Sequence, residues 1–216
     1  MNKIITAEQA IAKINSGATI MIGGFMANGS PHRIIDLMLQ SDIRDLTLIS
    51  NDSAFPDKGI GRLIADNRVR KLIVSHAGTN PCVNDQMNAG QLEVEFVPQG
   101  TLAERIRAAG AGLGGVLTIT GLGTVVENGK EKITIDGKEY LLEKPLRADI
   151  ALLGASIGDK NGNLYYKGTS QNFNPIMATA ADLVIAEVEE LVETGTIPME
   201  NVHTPNIFVD YIVNSK

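Results

Sequence analysis

At 216 residues the chain is long enough to bury one α/β core and cramped for two domains, so a single domain spanning 1–216 is expected. A net charge of −6 leaves no basic stripe for phosphate backbones, and 4% aromatics without tryptophan leave no stacking platform, which argues against nucleic acid as a partner. The lone Cys82 excludes an intramolecular disulfide and a thiolate metal cluster, and no apolar run suits a signal peptide or a membrane span, so a cytoplasmic location away from membranes is expected.

Thr6 and Gln9 form a capping box that predicts a first helix to about residue 16. An apolar run at 18–22 predicts the first strand, which breaks into a glycine-rich loop, Gly23-Gly24-Phe25-Met26-Ala27-Asn28-Gly29. Ser30 is placed to cap a helix over 31–40. Strands at 46–50, 71–75 and 92–97 alternate with helices near 60–67, after Asn80-Pro81, and after Thr101, whose spacing to Glu104 repeats the capping box. This alternation reads as successive βαβ units, and hence an open, mostly parallel sheet with helices on both faces. The character then changes: Asp136-Gly137 between strand-like runs at 132–135 and 139–142 predicts a small hairpin inserted near 125–145. Strands at 149–153 and 182–187, a helix at 175–181 between them and a last strand at 207–213 complete the pattern.

In open parallel sheets ligands sit at the carboxyl ends of the strands, near a reversal of strand order. Those ends read Gly23 to Gly29, then Asn51-Asp52-Ser53, then His76 to Asn80, then Pro98-Gln99-Gly100-Thr101. The glycine loop offers backbone N–H groups bare of side chains, and helix N-termini capped by Ser30, Asn80 and Thr101 add partial positive charge at the same edge. Asn51 and Gln99 stand out because an amide donates to a developing oxyanion without changing protonation; each suits equally an amide tying down its own loop.

Other candidates carry less. Gly110 to Gly115 matches the dinucleotide fingerprint Gly-x-Gly-x-x-Gly but follows a helix instead of a strand, so it reads as a turn. Glu127-Asn128-Gly129 reads as a turn beside a solvated glutamate. His32, His76 and His203 are too scattered for a zinc site, so no metal is expected, and Cys82 has no identifiable base.

The string Gly-Gly-Phe, three residues, Gly, one residue, Pro over 23–31, together with Pro98-Gln99-Gly100-Thr101-Leu102, resembles the α subunit of family I CoA-transferases, the acetate/acetoacetate and butyrate group. Segments 46–52, 78–81, 111–123, 141–149 and 172–175 extend the likeness over nearly the full length. The resemblance implies an open α/β fold related to ribose-phosphate isomerase and glucosamine-phosphate deaminase. It also implies transfer of CoA between short-chain acids, with coenzyme A as substrate and product and no permanently bound cofactor. The homologous β subunit would carry the nucleophilic glutamate in a Ser-Glu-Asn-Gly motif, within a heterotetramer or larger assembly, so no catalytic nucleophile is expected in this chain. Gly23, Gly24, Phe25, Met26, Ala27, Asn28 and Gly29 match the segment that the family assigns to CoA. Gln99 matches a supporting glutamine near the thioester, and Asn51, Gln99 and Gly100 would line the substrate pocket. Two departures, Asn206 after Thr204-Pro205 and Gln171 before Asn172, are expected to lie away from the glycine loop and to bear on the substrate subgroup. A sugar-phosphate isomerase or deaminase, or a non-catalytic module sensing CoA esters or sugar phosphates, is the alternative.

Overall fold

The computed structural model describes residues 2–216. Its main sheet has the order β11-β10-β8-β1-β2-β3-β4, and every neighbouring pair along that path is parallel. These strands are β1 (Thr19–Ile22), β2 (Leu46–Ile49), β3 (Val69–Val74), β4 (Glu93–Phe96), β8 (Ala148–Asp159), β10 (Ala181–Val192) and β11 (Tyr211–Asn214). Short β9 (Leu164–Tyr165) pairs antiparallel with β8. The chain runs outward from β1 to β4, then returns to β8 on the other flank of β1, so strand order reverses between β1 and β8.

The central strands read as continuous apolar runs because both of their faces are covered. Ile20, Ile22, Leu48, Leu72, Ile150 and Leu152 face one core, which buries α1 (Ala7–Ile11), α2 (His32–Gln40), α3 (Gly61–Ala65) and α4 (Pro81–Asn88). Met21, Ile49, Ile73, Ala151 and Leu153 face the other, against α5 (Gln99–Gly110) and α6 (Asn174–Met177). The expected open parallel α/β sheet with helices on both faces is therefore present. At the β4 edge, Lys71 pairs with Glu93 at 2.8 Å and Glu95 at 3.4 Å, charges that discourage edge-to-edge strand addition.

A separate antiparallel sheet, in the order β5-β7-β6, holds the expected hairpin: β6 (Lys132–Ile135) and β7 (Lys138–Glu143) turn through Asp136 at φ 50° and Gly137 at φ 75°. Its third strand, β5 (Val116–Thr118), was not expected from the sequence.

Several boundaries differ from expectation. The capping box of α1 forms, with Gln9 N–H to Thr6 Oγ1 at 3.2 Å and Thr6 N–H to Gln9 Oε1 at 2.9 Å, but the helix ends at Ile11 and tightens into turns. The helix expected at 175–181 is the single turn α6, and the last strand starts only at Tyr211, after a short 3-10 turn at Asn206–Phe208. β8 and β10 each run for 12 residues, well beyond the expected ends. Gly154, inside β8, marks a close approach of two backbones, since a Cβ there would lie 2.5 Å from the Gly29 carbonyl oxygen.

Candidate functional site

β1 delivers the glycine loop to the point where strand order reverses, and Gly23 N–H donates to Leu152 O of β8 at 3.0 Å. Phe25 and Asn28 then exchange backbone bonds in both directions, at 3.0 and 2.9 Å, closing a two-residue turn over Met26 and Ala27. Both turn residues are left-handed, with φ 49° and 71°. Such turns ordinarily take Asn-Gly, and a left-handed non-glycine residue costs roughly 1–2 kcal/mol, so the surroundings must impose the shape.

Three side chains do so. Asp52 Oδ2 accepts from Met26 N–H at 3.0 Å. Asn172 accepts from Gly24 N–H at 3.1 Å and donates to Asn28 O at 3.0 Å. Asn174, fully buried, donates to Gly29 O at 3.0 Å and accepts from Gly154 N–H at 3.1 Å. Gly23 is required beneath this clamp, because a Cβ there would fall 1.8 Å from Asn174 Oδ1.

The loop is thus less bare than its sequence suggests. The amides of Gly23, Gly24, Phe25, Met26, Asn28 and Ser30 are all engaged, and among the described residues those of Ala27 and Gly29 have no partner. The segment around Gln171, expected to lie away from the loop, instead abuts it through Asn172 and Asn174.

Helix α2 also departs from expectation. Ser30 does not cap it; its hydroxyl donates to Gly23 O at 3.0 Å, and the helix begins at His32. The free N–H groups of Arg33 and Ile34 donate instead to the Glu187 carboxylate of β10, at 3.1 and 2.9 Å. An internal carboxylate therefore occupies the seat at this helix N-terminus that an anionic ligand would otherwise take. Burial raises the pKa of Glu187 against the opposing effect of those two donors. A cleft of about 480 Å³ opens beside it, lined by Ala27, Gly29, His32, Gly154 and Ser170 among others.

Asn51 and Gln99 meet on the other flank of the loop. Gln99 Nε2 donates to Asn51 Oδ1 at 2.8 Å, while Asn51 is buried and Gln99 exposed. Neither lines the 480 Å³ cleft. With its oxygen engaged, Asn51 has an Nδ2 group with no acceptor among the described residues, so the pair presents amide donors at the rim. Gln99 is the first residue of α5, so Thr101 is inside the helix and cannot cap it; its buried hydroxyl, like that of Ser53, has no partner among the described residues. Gly100 faces a different hollow, beneath Thr118 and Thr120 of the small-sheet region. Asn80 does cap α4, accepting from Cys82 N–H at 3.2 Å.

Glu127 accepts from Gly123 N–H at 2.6 Å and pairs with Lys132 at 3.1 Å, bonds that lower its pKa. Gly112, at φ 70°, closes α5 in a Schellman arrangement with Leu113 N–H to Ala108 O at 2.8 Å, so Gly110 to Gly115 is a helix stop. His203 Nδ1 accepts from Tyr166 N–H at 3.2 Å, His32 is exposed at the start of α2, and His76 is exposed beyond β3. Among the described residues no three His, Cys, Asp or Glu side chains converge on a metal-sized site, and no helix is long and apolar enough to cross a membrane.

Sequence reasoning placed Asp52 among the polar strand ends and 172–175 among the family-like segments, but it gave no role to Asp52, Asn172, Asn174 or Glu187. The left-handed Met26-Ala27 turn would have been the signal, because it demands external support, but nothing in those two residue types announces it.

A family model described as coenzyme A transferase matches residues 4–215. The chain is 52% identical over 214 residues to the acetate CoA-transferase subunit alpha of Escherichia coli K12, covering 99% of this chain and 97% of the relative. It is 53% identical over 212 residues to the acetoacetyl-CoA:acetate/butyrate CoA transferase alpha subunit of Clostridium acetobutylicum, covering 98% and 97%. Among solved structures, an acyl-CoA transferase of E. coli O157:H7, as a thioester complex with CoA, superimposes with TM-score 0.87 at 24% identity. The match covers 99% of this chain and 47% of that one, so the present chain spans about half of its length. Glutaconate coenzyme A-transferase from Acidaminococcus fermentans gives TM-score 0.86 at 22% identity, covering 98% and 75%. At these identities the two structures establish a shared fold.

Proposed function

The chain belongs to the coenzyme A transferase family, and from that premise we propose that it is the α subunit of an acyl-CoA:carboxylate CoA-transferase acting on acetate, acetoacetate or butyrate. The observation that carries this reading is the 52% identity to an acetate CoA-transferase α subunit across 99% of this chain and 97% of the relative. The sugar-phosphate and sensing alternatives gain no support, since relatives at about half identity are named CoA-transferase subunits.

In the proposed reaction a glutamate of a β subunit attacks the acyl-CoA thioester carbonyl and expels CoA thiolate, leaving an acyl-glutamyl anhydride. The thiolate then attacks the glutamyl carbonyl and the first carboxylate leaves, giving a glutamyl-CoA thioester. The acceptor acid reverses these steps and departs as its own CoA ester. In this chain, the loop from Gly23 to Gly29 lies against the CoA moiety, with the unpartnered amides of Ala27 and Gly29 as its donors. Asn51 and Gln99 present neutral amide donors where oxyanion charge develops. That the segment 1–216 works as one domain, with Gly100 beside the pocket, in the cytoplasm and inside an assembly of α and β subunits, belongs to the same proposal.

Co-expression tests it. The purified chain alone is expected to show no transfer of CoA from acetoacetyl-CoA to acetate. The same chain with a β-type partner carrying Ser-Glu-Asn-Gly should turn over. Robust turnover by the single chain would overturn the division of labour.

A further inference from the structure

Asp52 is 4% exposed, and among the described residues its carboxylate accepts only backbone N–H groups: Met26 at Oδ2, 3.0 Å, and Ala54 at Oδ1, 2.7 Å. Those two residues belong to neighbouring strand-end loops, and both are left-handed non-glycines, Met26 at φ 49° and Ala54 at φ 51°. Each such residue is unfavourable by itself and persists only where surrounding contacts over-determine it. One carboxylate thus ties down two strained turns at the carboxyl edge of the sheet. Only a carboxylate fits this task, since the isosteric amide would turn an NH2 toward one of the two donors.

We propose that Asp52 is a positioning residue: it holds the Met26-Ala27 turn left-handed and so keeps the free amides of Ala27 and Gly29 aimed at the CoA moiety. The assignment of CoA to this loop rests on the function proposed above. The clamp itself does not. Asp52 touches neither reactant, so it acts through the loop, on the half-reaction in which acyl-CoA must first be captured. Once CoA is tethered to the partner, the acceptor acid needs the clamp much less.

The test compares Asp52→Asn and Asp52→Ala with the native protein, each assembled with its partner. Amide hydrogen exchange over residues 24–29 reads the clamp independently of activity. It should accelerate by about tenfold or more in both variants, as local opening requires. Steady-state kinetics should show kcat/KM for acyl-CoA falling about tenfold to a hundredfold, with kcat/KM for the acceptor acid within about threefold. Adding Met26→Gly, which adopts the left-handed turn without strain, should restore most of the acyl-CoA value while any loss of thermal stability persists. Should Asp52→Ala fail to fold, Asp52→Asn with and without Met26→Gly carries the same comparison. Unchanged exchange in the loop overturns the clamp. Equal loss for both substrates, or no rescue by glycine, reduces Asp52 to a general structural role. An inactive native pair refutes the CoA-transferase reading, while the exchange result still decides the clamp.

Discussion

Replacing Arg68 by methionine is expected to destabilise the chain by about 3–4 kcal/mol and lower its melting temperature by roughly 10 °C. The guanidinium is 4% exposed and gathers the carbonyls that end α2 and the turn after it. It donates to Met38 O at 2.8 Å, Leu39 O at 2.6 Å, Ser41 O at 2.6 Å and Ile43 O at 3.0 Å, and its Nε reaches Asp66 at 2.6 Å. Carbonyls at a helix C-terminus have no intrahelical partner, and burying several together is costly unless a multidentate donor serves them. Methionine keeps most of the apolar stem and removes every donor, so the loss measures the bonds more than the packing. Lysine, with a single charged centre, should recover only part of it. Thermal and urea unfolding followed by circular dichroism check this; a change below about 1 kcal/mol would mean that water satisfies those carbonyls.

The second large effect is catalytic. Gln99→Ala in the assembled α/β pair is expected to lower kcat by roughly 10²–10³-fold, the loss typical of one oxyanion donor and equivalent to about 2.7–4 kcal/mol of barrier. Gln99 is exposed and its mapped partner is the single bond to Asn51, so stability should move by no more than about 0.5 kcal/mol. That split separates chemistry from folding. Asn51→Ala is less clean, because Asn51 is buried and its removal also leaves Gln99 without an acceptor. Steady-state rates for both variants, beside their unfolding curves, make the measurement. A kcat for Gln99→Ala within about twofold of the native value would remove this side chain from the oxyanion site.

Much of this architecture was legible in the residues. The apolar run at Ile20 to Ile22 followed by glycine announced the first strand and the loop after it, and the polar strand ends at Asn51 and Gln99 came together as that pattern implied. Asp136-Gly137 marked its hairpin because the turn type demands those residues. What stayed hidden depends on backbone groups meeting distant side chains. Arg68 serves carbonyls 25–30 residues away, Glu187 serves amides 153–154 residues away, and Asn172 and Asn174 grip a loop about 145 residues earlier. A carbonyl or amide has no residue identity, so no local pattern signals such a partner. The same blindness made Ser30 and Thr101 look like helix caps: their types suit a cap, but Glu187 and the earlier start of α5 remove the vacancy.

In the proposed division of labour this chain holds coenzyme A while another polypeptide supplies the attacking carboxylate. Incubating the assembled pair with acetoacetyl-CoA and reducing the enzyme-bound thioester with borohydride converts the reacted glutamate to a stable alcohol that mass spectrometry can locate. The modification is expected on the partner's Ser-Glu-Asn-Gly glutamate and nowhere on this chain. A reduced glutamate at Glu127, Glu187 or any other position here would contradict it.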